Sequence, residues 1–195
     1  MKTIVKIFVT FSVIFLAISC NNDDNPQPTP VPMAPEQNPL EGYLSATGFN
    51  QITSNYINSG NYEFGFSFIP LVNGKMTAIV IKIPDNQTNN RVTIWDKVAE
   101  TVIRTEIIDA LSADVEVTKT IAAIDLVKDK EYIITFNSND WYDHRKTDNS
   151  NVTYPFTSGD IKITSYAYKS GTAQQIPNSV VTNYYAGDCS FKFQK

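Results

Sequence analysis

The chain has 195 residues, of which 42% are hydrophobic, and a net charge of −4. An acidic chain without a Lys/Arg cluster argues against nucleic-acid binding, because no local basic surface is available to neutralise phosphates. One histidine and two cysteines exclude most zinc sites, which use three or four nitrogen or sulfur ligands. The length suits one folded domain with short additional segments.

Residues 1–19 have the pattern of a secretory signal peptide. Two lysines precede an apolar run from Ile7 to Leu16, and small residues follow the run. The run is shorter than the roughly 20 apolar residues that a transmembrane helix needs. Cys20 comes next, and the stretch 16–20 resembles the lipobox of bacterial lipoproteins, in which this cysteine is lipidated. The resemblance implies that Cys20 carries a lipid anchor that holds the protein to a membrane.

The segment 20–42 is predicted to be an extended stalk. Six of the ten prolines lie in it without apolar periodicity, a composition that favours polyproline II and cannot form a core. Its start, at 21–25, resembles the short acidic tract of surface-exported lipoproteins of Bacteroidota, and it also suits a solvated spacer. We therefore expect a cell-envelope protein that is anchored by lipid in the outer membrane. The resemblance to the export tract implies exposure at the cell surface, whereas the spacer interpretation leaves the membrane face open.

From residue 43 to 195 the sequence predicts one all-β domain. Aromatic and β-branched residues alternate with polar residues in short runs, between turn residues spaced roughly 8–12 apart. Asn73-Gly74 between two such runs predicts a β-hairpin. The predicted strands are 62–68, 76–83, 91–96, 101–108, 115–121, 131–137, 161–168, 180–185 and 190–194. About eight or nine short strands without a helix predict an antiparallel β-sandwich, similar to a jelly roll.

Several of these segments resemble a β-sandwich family of bacterial cell-surface proteins whose function is unknown. The resemblance rests on Tyr62–Phe68 followed by Asn73–Ile79, on Val92–Asp96, on Leu126–Ile134 and on Asn183–Phe193. The chain departs from the family pattern at Ile83-Pro84 and in the Asn-rich loop that follows. The resemblance implies a compact sandwich carried on surface proteins, and it assigns no catalytic residue.

The densest group of polar and aromatic residues lies at 137–156, where we predict a long loop. Loops of this length are often functional. Aromatic rings surrounded by a few polar groups suit a shallow saccharide site. The candidates for ligand contact are Asp140, Trp141, Tyr142, Asp143, Arg145, Tyr154 and Phe156. In the alternative interpretation these rings turn inward and close one end of the sandwich.

The same segment allows two further interpretations. Asn139, Asp140, Asp143 and Asp148 offer the oxygen ligands that calcium prefers, although their spacing matches no EF-hand loop. A hydrolase would use His144, the only histidine, or the carboxylate pair of Asp140 and Asp143. Since no Gly-x-Ser-x-Gly motif is present, catalysis is the interpretation that we favour least.

The sequence therefore predicts a lipid-anchored envelope module, and not an enzyme, that recognises a glycan or surface polymer through 137–156. The alternative is an accessory or adhesin subunit that docks onto another envelope protein. No cofactor is expected other than calcium. With Cys20 lipidated, Cys189 has no disulfide partner, and we expect it to be a buried small apolar residue.

Overall fold

The protein folds as an antiparallel β-sandwich. The computed structural model describes residues 34–195, so the predicted signal peptide, Cys20 and the stalk up to residue 33 lie outside the described residues. Within the described part, thirteen strands, one α-helix and one 3-10 helix are formed. The predicted all-β fold class is confirmed. The strand number exceeds the predicted eight or nine because five strands have only two to five residues.

Every long strand of the sandwich lies where alternation predicts one. The elements in chain order are α1 (Pro39–Thr47), a 3-10 helix (Phe49–Gln51), β1 (Ile52–Tyr56), β2 (Tyr62–Pro70), β3 (Gly74–Ile81), β4 (Gln87–Asp96), β5 (Thr101–Ala110), β6 (Val117–Leu126), β7 (Tyr132–Ser138), β8 (Trp141–Arg145), β9 (Phe156–Ser158), β10 (Ile161–Ser170), β11 (Ser179–Val180), β12 (Tyr184–Ala186) and β13 (Cys189–Gln194). Among residues 34–195, no helix has the length and apolar character needed to cross a membrane.

The strands form three sheets. The seven-stranded sheet has the order β11-β10-β2-β7-β4-β5, with β9 also paired to β10. Two three-stranded sheets, β13-β3-β6 and β1-β8-β12, complete the fold. Strand β2 contacts both of these small sheets, because its alternating aromatic residues lie on one face. The ring centroid of Phe68 is 4.6 Å from that of Phe191 of β13, and the ring centroid of Phe64 is 5.2 Å from that of Trp141 of β8.

Strands β2 and β3 do not form the hairpin that Asn73-Gly74 predicts. Strand β2 pairs with β7 and β10, whereas β3 pairs with β6 and β13. The apolar face of β2 must be covered by another sheet, and β13, the neighbour of β3, covers it. The turn therefore carries the chain across the core from one sheet to another, and the hairpin prediction is wrong.

The folded domain includes residues that the sequence assigns to the stalk. Gln37 pairs with Phe193 in an isolated β-bridge, and α1 begins at Pro39, which is buried. The Asn38 side chain accepts a hydrogen bond from the Leu40 N–H at the start of this helix. Proline suits the first turn of a helix, where its missing N–H is not needed. The predicted boundary at residue 43 thus falls inside the domain, within a helix that the sequence does not predict.

A buried ion pair lies on the opposite face of β2 from its aromatic residues. The Glu63 side chain is fully buried, and its Oε2 accepts a hydrogen bond of 2.7 Å from Arg91 Nη2 of β4. Burial raises the pKa of Glu63, and hydrogen bonds including the one from Arg91 oppose this rise only in part. The folded protein therefore holds a proton on Glu63 at pH values where the unfolded chain has released it.

This shift predicts how a Glu63→Gln variant responds to pH. Because the pKa is higher in the folded state, ionisation of Glu63 removes stability as the pH rises from about 4.5 through that raised pKa. We expect Glu63→Gln to match the wild type near pH 4 and to become more stable than the wild type by pH 7. Urea denaturation across this pH range measures the difference. A variant that instead loses stability relative to the wild type with rising pH would show that the Arg91 pair outweighs burial.

Candidate functional site

The segment 137–156 is not the long loop that the sequence predicts. Strand β7 continues to Ser138, and β8 occupies Trp141–Arg145, paired with β1 on one side and β12 on the other. Strands this short, with aspartate, histidine and arginine among their residues, lack the composition typical of strands. The prediction was wrong because these residues are held in a strand by backbone pairing to partners at least 39 positions away, the separation of Arg145 and Tyr184.

Alternation along β8 divides the predicted site residues into two sets. Side chains of successive strand residues point to opposite faces of a sheet. Trp141, Asp143 and Arg145 therefore share one face, and Tyr142 and His144 share the other. The structure places only the first set beside a concave surface.

That surface is a cleft of about 180 Å³, which we call the aromatic cleft. Its lining residues come from five strands and are Tyr56, Tyr62, Phe64, Trp141, Asp143, Arg145, Tyr168, Tyr184 and Ala186. The register of the small sheet aligns three of its strands here, because β1 places Tyr56 opposite Trp141 and β12 places Tyr184 opposite Arg145. The cleft thus lies where this sheet meets β2 and β10.

Trp141 forms the floor of the aromatic cleft. Its ring stacks on Tyr56 at 5.5 Å between centroids and 10° between planes, and Tyr62 meets it edge-on at 5.0 Å. Trp141 is only 8% exposed, whereas Tyr56 is 40% exposed. Trp141 is therefore a core residue that supports the surface, and not the exposed ring that the loop prediction implies. Tyr56 is the exposed ring of this stacked pair.

Three tyrosines form a continuous wall. Tyr168 lies between Tyr62 and Tyr184, with ring centroids 6.0 and 6.2 Å away. Burial, followed by a hydrogen bond with Tyr168, raises the pKa of Tyr184 well above its usual value. The Tyr184 hydroxyl therefore stays protonated and uncharged at physiological pH.

Arg145 and Asp143 form an ion pair at the polar side of the cleft. Arg145 donates from Nε to Asp143 Oδ1, and from Nη2 to Oδ2 at 3.0 Å. The guanidinium also lies over the Tyr184 ring, 4.9 Å from its centroid. The Asp143 side chain is 6% exposed and that of Arg145 is 35% exposed. The carboxylate raises the pKa of Arg145, so the exposed member of the pair is a fixed cation held by two partners.

The other face of β8 carries a second polar group. His144 is buried, its Nε2 lies 2.7 Å from Asp188 Oδ1, and its Nδ1 lies 3.2 Å from Thr53 Oγ1. A hydroxyl, an imidazole and a carboxylate follow one another here in the order that hydrolases use. The group faces away from the aromatic cleft, so it cannot act on a ligand bound there. Its contacts link β1, β8 and the turn before β13, and we assign it a structural role.

Tyr142 also lies on this second face. Its hydroxyl donates to Asp114, and burial, followed by this hydrogen bond, raises the pKa of Tyr142. Lys82 Nζ lies over the Tyr142 ring, 5.3 Å from its centroid. Tyr142 therefore does not reach the cleft, contrary to its prediction as a ligand-contacting residue.

Tyr154 and Phe156 lie in a separate aromatic cluster around Tyr43 of α1. Their ring centroids are 6.3 and 6.1 Å from that of Tyr43, and the Tyr154 and Tyr43 hydroxyls form a hydrogen bond of 2.5 Å. Burial raises the pKa of Tyr154 to about 12. These two rings turn inward, as the alternative interpretation of 137–156 proposes, and neither lines the cleft.

The predicted calcium ligands are not brought together. Asp140 Oδ1 accepts a hydrogen bond of 2.6 Å from the Asn58 N–H, and Asn139 donates to the Asn58 side chain. Asp143 binds Arg145, and Asp148 accepts from the Ser150 N–H in a turn, which lowers the pKa of Asp148. Within residues 34–195 no three acidic, histidine or cysteine side chains are placed to hold a metal. Each of the three carboxylates therefore has its own partner within the fold, whereas Asn139 Oδ1 is buried without a hydrogen-bond partner among the described residues.

A larger groove of about 620 Å³ lies at the ends of β3, β6 and β13. It is lined by Asn73, Gly74, Lys75, Asp125, Leu126, Val127, Gln194 and Lys195. Lys75 and Asp125 are exposed and 4.0 Å apart, a geometry in which an ion pair contributes little. Without an aromatic ring or a buried polar group in its lining, this groove offers no group that selects a ligand.

No protein family model and no curated protein sequence matches this chain. The site is therefore defined by geometry alone. The sequence-based prediction includes none of the four tyrosines that line the cleft, which are Tyr56, Tyr62, Tyr168 and Tyr184. The available signal was that Tyr62 and Tyr168 each belong to an alternating aromatic face of a predicted strand, but the pairing that joins these strands to β8 is not readable from the sequence.

Proposed function

We propose that the protein is a lipid-anchored cell-envelope module that binds a glycan in the aromatic cleft. The observation that carries the proposal is the arc of tyrosine rings around one exposed, fixed guanidinium. Aromatic rings pack against the apolar faces of sugar rings, and a few oriented polar groups bind the hydroxyls. The volume of about 180 Å³ is below the range of pockets for drug-sized ligands, and it suits one sugar residue of a longer chain.

The envelope location is the second part of the proposal, and it rests on the sequence. Residues 1–20 resemble a lipoprotein signal with its lipidated cysteine, and residues 21–25 resemble the export tract of Bacteroidota surface lipoproteins. A single acyl chain binds a membrane only marginally, whereas two or more give stable anchoring. The lipobox resemblance implies several acyl chains on Cys20, which would hold the domain firmly at the outer membrane. The domain would then lie in reach of surface polymers, as in the cell-surface β-sandwich family that it resembles.

Tyr56→Ala tests the cleft. Tyr56 is 40% exposed on the edge strand β1, so its removal takes away the ring that stacks against a sugar without opening the core. We expect roughly 5- to 150-fold weaker glycan binding, taking as a guide the about 1–3 kcal/mol that stacking of a nucleobase on one aromatic ring contributes. A glycan array with and without calcium identifies the ligand, and calorimetry compares the variant with the wild type.

Ile57→Ala is the matched control for this variant. Ile57 follows Tyr56 directly, is similarly exposed at 43%, and does not line the cleft. We expect Ile57→Ala to bind as the wild type does, with both variants melting within a few degrees of the wild type. Glycan binding that is unchanged in Tyr56→Ala would show that the ligand does not enter the aromatic cleft.

The edge strand β5 favours a second candidate function, docking onto another envelope protein. Val102, Ile103 and Ile107 are large aliphatic side chains exposed on this strand, which ends the seven-stranded sheet. Lys119 Nζ donates to the Ile107 carbonyl at 2.9 Å, which shields part of the open backbone edge and leaves the apolar side chains accessible. A stoichiometric protein partner that co-purifies in mild detergent, together with no binding on the glycan array, would favour this function over glycan recognition.

A further inference from the structure

We infer that the glycan recognised by the aromatic cleft carries a carboxylate, which Arg145 binds. This inference rests on the proposed function and names its ligand class: an acidic sugar residue, such as a uronic or sialic acid. Arg145 is the one basic side chain among the residues that line the cleft. Two properties suit Arg145 to this role: N–H groups that have no partner within the described residues, and a positive charge that is exposed in the cleft.

The guanidinium of Arg145 has unused donors. It carries five N–H groups in a rigid planar fork. Among the described residues its hydrogen-bond partner is Asp143, which takes the Nε–H and one N–H of Nη2. Three N–H groups, two on Nη1 and one on Nη2, therefore remain for a ligand. The Nη1 and Nη2 edge of a guanidinium matches the two oxygens of a carboxylate.

The unequal solvent exposure of Asp143 and Arg145 determines the sign of the charge that a ligand in the cleft meets. Asp143 is almost completely buried beside Ala186 of β12, whereas about a third of the Arg145 side chain is exposed. The other polar groups in the lining are tyrosine hydroxyls, and Tyr184 keeps its proton. The accessible polar surface therefore presents uncharged hydroxyls, which donate or accept, and one positive group, so it favours a ligand with a negatively charged acceptor.

The position of Arg145 is also fixed before a ligand arrives. Asp143 binds it from one side in two places, and the Tyr184 ring lies against its plane at 4.9 Å. A side chain held in this way loses little further conformational freedom on binding. The tyrosine wall beside it offers apolar ring faces, which suit the C–H face of a pyranose ring that directs its carboxylate to Arg145.

The experiment compares acidic glycans with their carboxyl-reduced forms. Glycans that end in glucuronate, galacturonate, mannuronate or a sialic acid are presented to the protein beside the same glycans with the carboxylate reduced to an alcohol. Each pair differs only in the charged group. We expect at least one acid to bind tenfold or more tightly than its alcohol, with an advantage that falls between 50 mM and 500 mM NaCl, because salt screens exposed charges.

The variants are chosen so that the buried carboxylate is never left without a partner. The double variant Asp143→Asn/Arg145→Gln replaces both charges by amides that can still bond to each other, and it should abolish the preference for the acid. Arg145→Lys keeps the charge without the planar fork and should retain only part of the preference. Arg104→Gln, on the exposed strand β5 and paired there with Glu106 at 3.5 Å, is the matched control and should behave as the wild type.

Each outcome decides a separate point. Equal binding of acids and alcohols would overturn the inference and leave glycan recognition in the cleft standing. A preference for acids that survives in a folded double variant would overturn the role of Arg145. An array on which neither acids nor neutral glycans bind would overturn both the inference and the proposed function.

Discussion

Replacement of Trp141 by alanine is expected to lower the free energy of unfolding by about 3–5 kcal/mol, the range measured for large aromatic-to-alanine changes in protein cores. The Trp141 ring is 8% exposed and contacts Tyr56, Tyr62 and Phe64 at centroid distances of 5.0–5.5 Å. Its loss leaves a cavity between β8 and β2 that the surrounding strands cannot close, since both are fixed by backbone pairing. Glycan binding should be lost with it, because Tyr56 then has no ring to stack on.

Urea denaturation measures this effect, with Trp141→Phe as the matched variant. Phenylalanine keeps a flat apolar ring and should recover more than half of the lost stability. The Tyr56→Ala variant separates the two roles, since we expect it to lose binding with little loss of stability. A Trp141→Ala protein that remains within about 1 kcal/mol of the wild type would show that the ring lies on an adaptable surface and that the assignment of Trp141 to the core is wrong.

The strands were predictable where aromatic or β-branched residues recur in short runs between turn residues. The aromatic alternation at 62–68 predicts β2, and the same argument places β3, β4, β5, β7 and β13 close to their observed bounds. The partners of these strands were not predictable. Asn73-Gly74 is a local hairpin signal, but the need to cover the aromatic face of β2 with β13 outweighs it, and that need depends on contacts between residues more than 100 positions apart.

The candidate site shows the same division. Trp141, Asp143 and Arg145 enter the aromatic cleft because a spacing of two places them on one face of β8. Asp140, Tyr142, Tyr154 and Phe156 belong to the same segment, and none of them lines the cleft, contrary to their prediction as ligand contacts. The tyrosines that complete the site come from β1, β2, β10 and β12, and pairings such as Tyr184 with Arg145 are a property of the fold. The composition of 137–156 predicts that this segment contributes to a site. The tyrosines that pack beside it follow from the strand pairing, which the sequence does not reveal.

Arg145→Ala is also expected to lower the free energy of unfolding strongly, because its partner in the ion pair, Asp143, is the buried member. Removal of Arg145 leaves the Asp143 carboxylate, 6% exposed, without its counter-ion in the interior, and breaking a buried pair in this way costs about 3–5 kcal/mol. Asp143→Asn leaves a guanidinium that is already one-third exposed and can be solvated, so its cost should be no more than about 1–2 kcal/mol. The stability loss should therefore be unequal, and larger for the residue nearer the solvent.

The double variant Asp143→Asn/Arg145→Gln completes this comparison. If the loss in Arg145→Ala comes from an uncompensated charge, the double variant should be more stable than Arg145→Ala, although it changes more residues, because no charge remains buried. Urea denaturation at neutral pH of the wild type, Asp143→Asn, Arg145→Gln and the double variant gives the interaction free energy of the pair, with Arg145→Ala measured beside them. Equal losses for Arg145→Ala and Asp143→Asn would mean that Asp143 reaches water in solution. The charge that a ligand meets in the cleft would then be that of the whole pair, and Arg145 would give no preference for an acidic sugar.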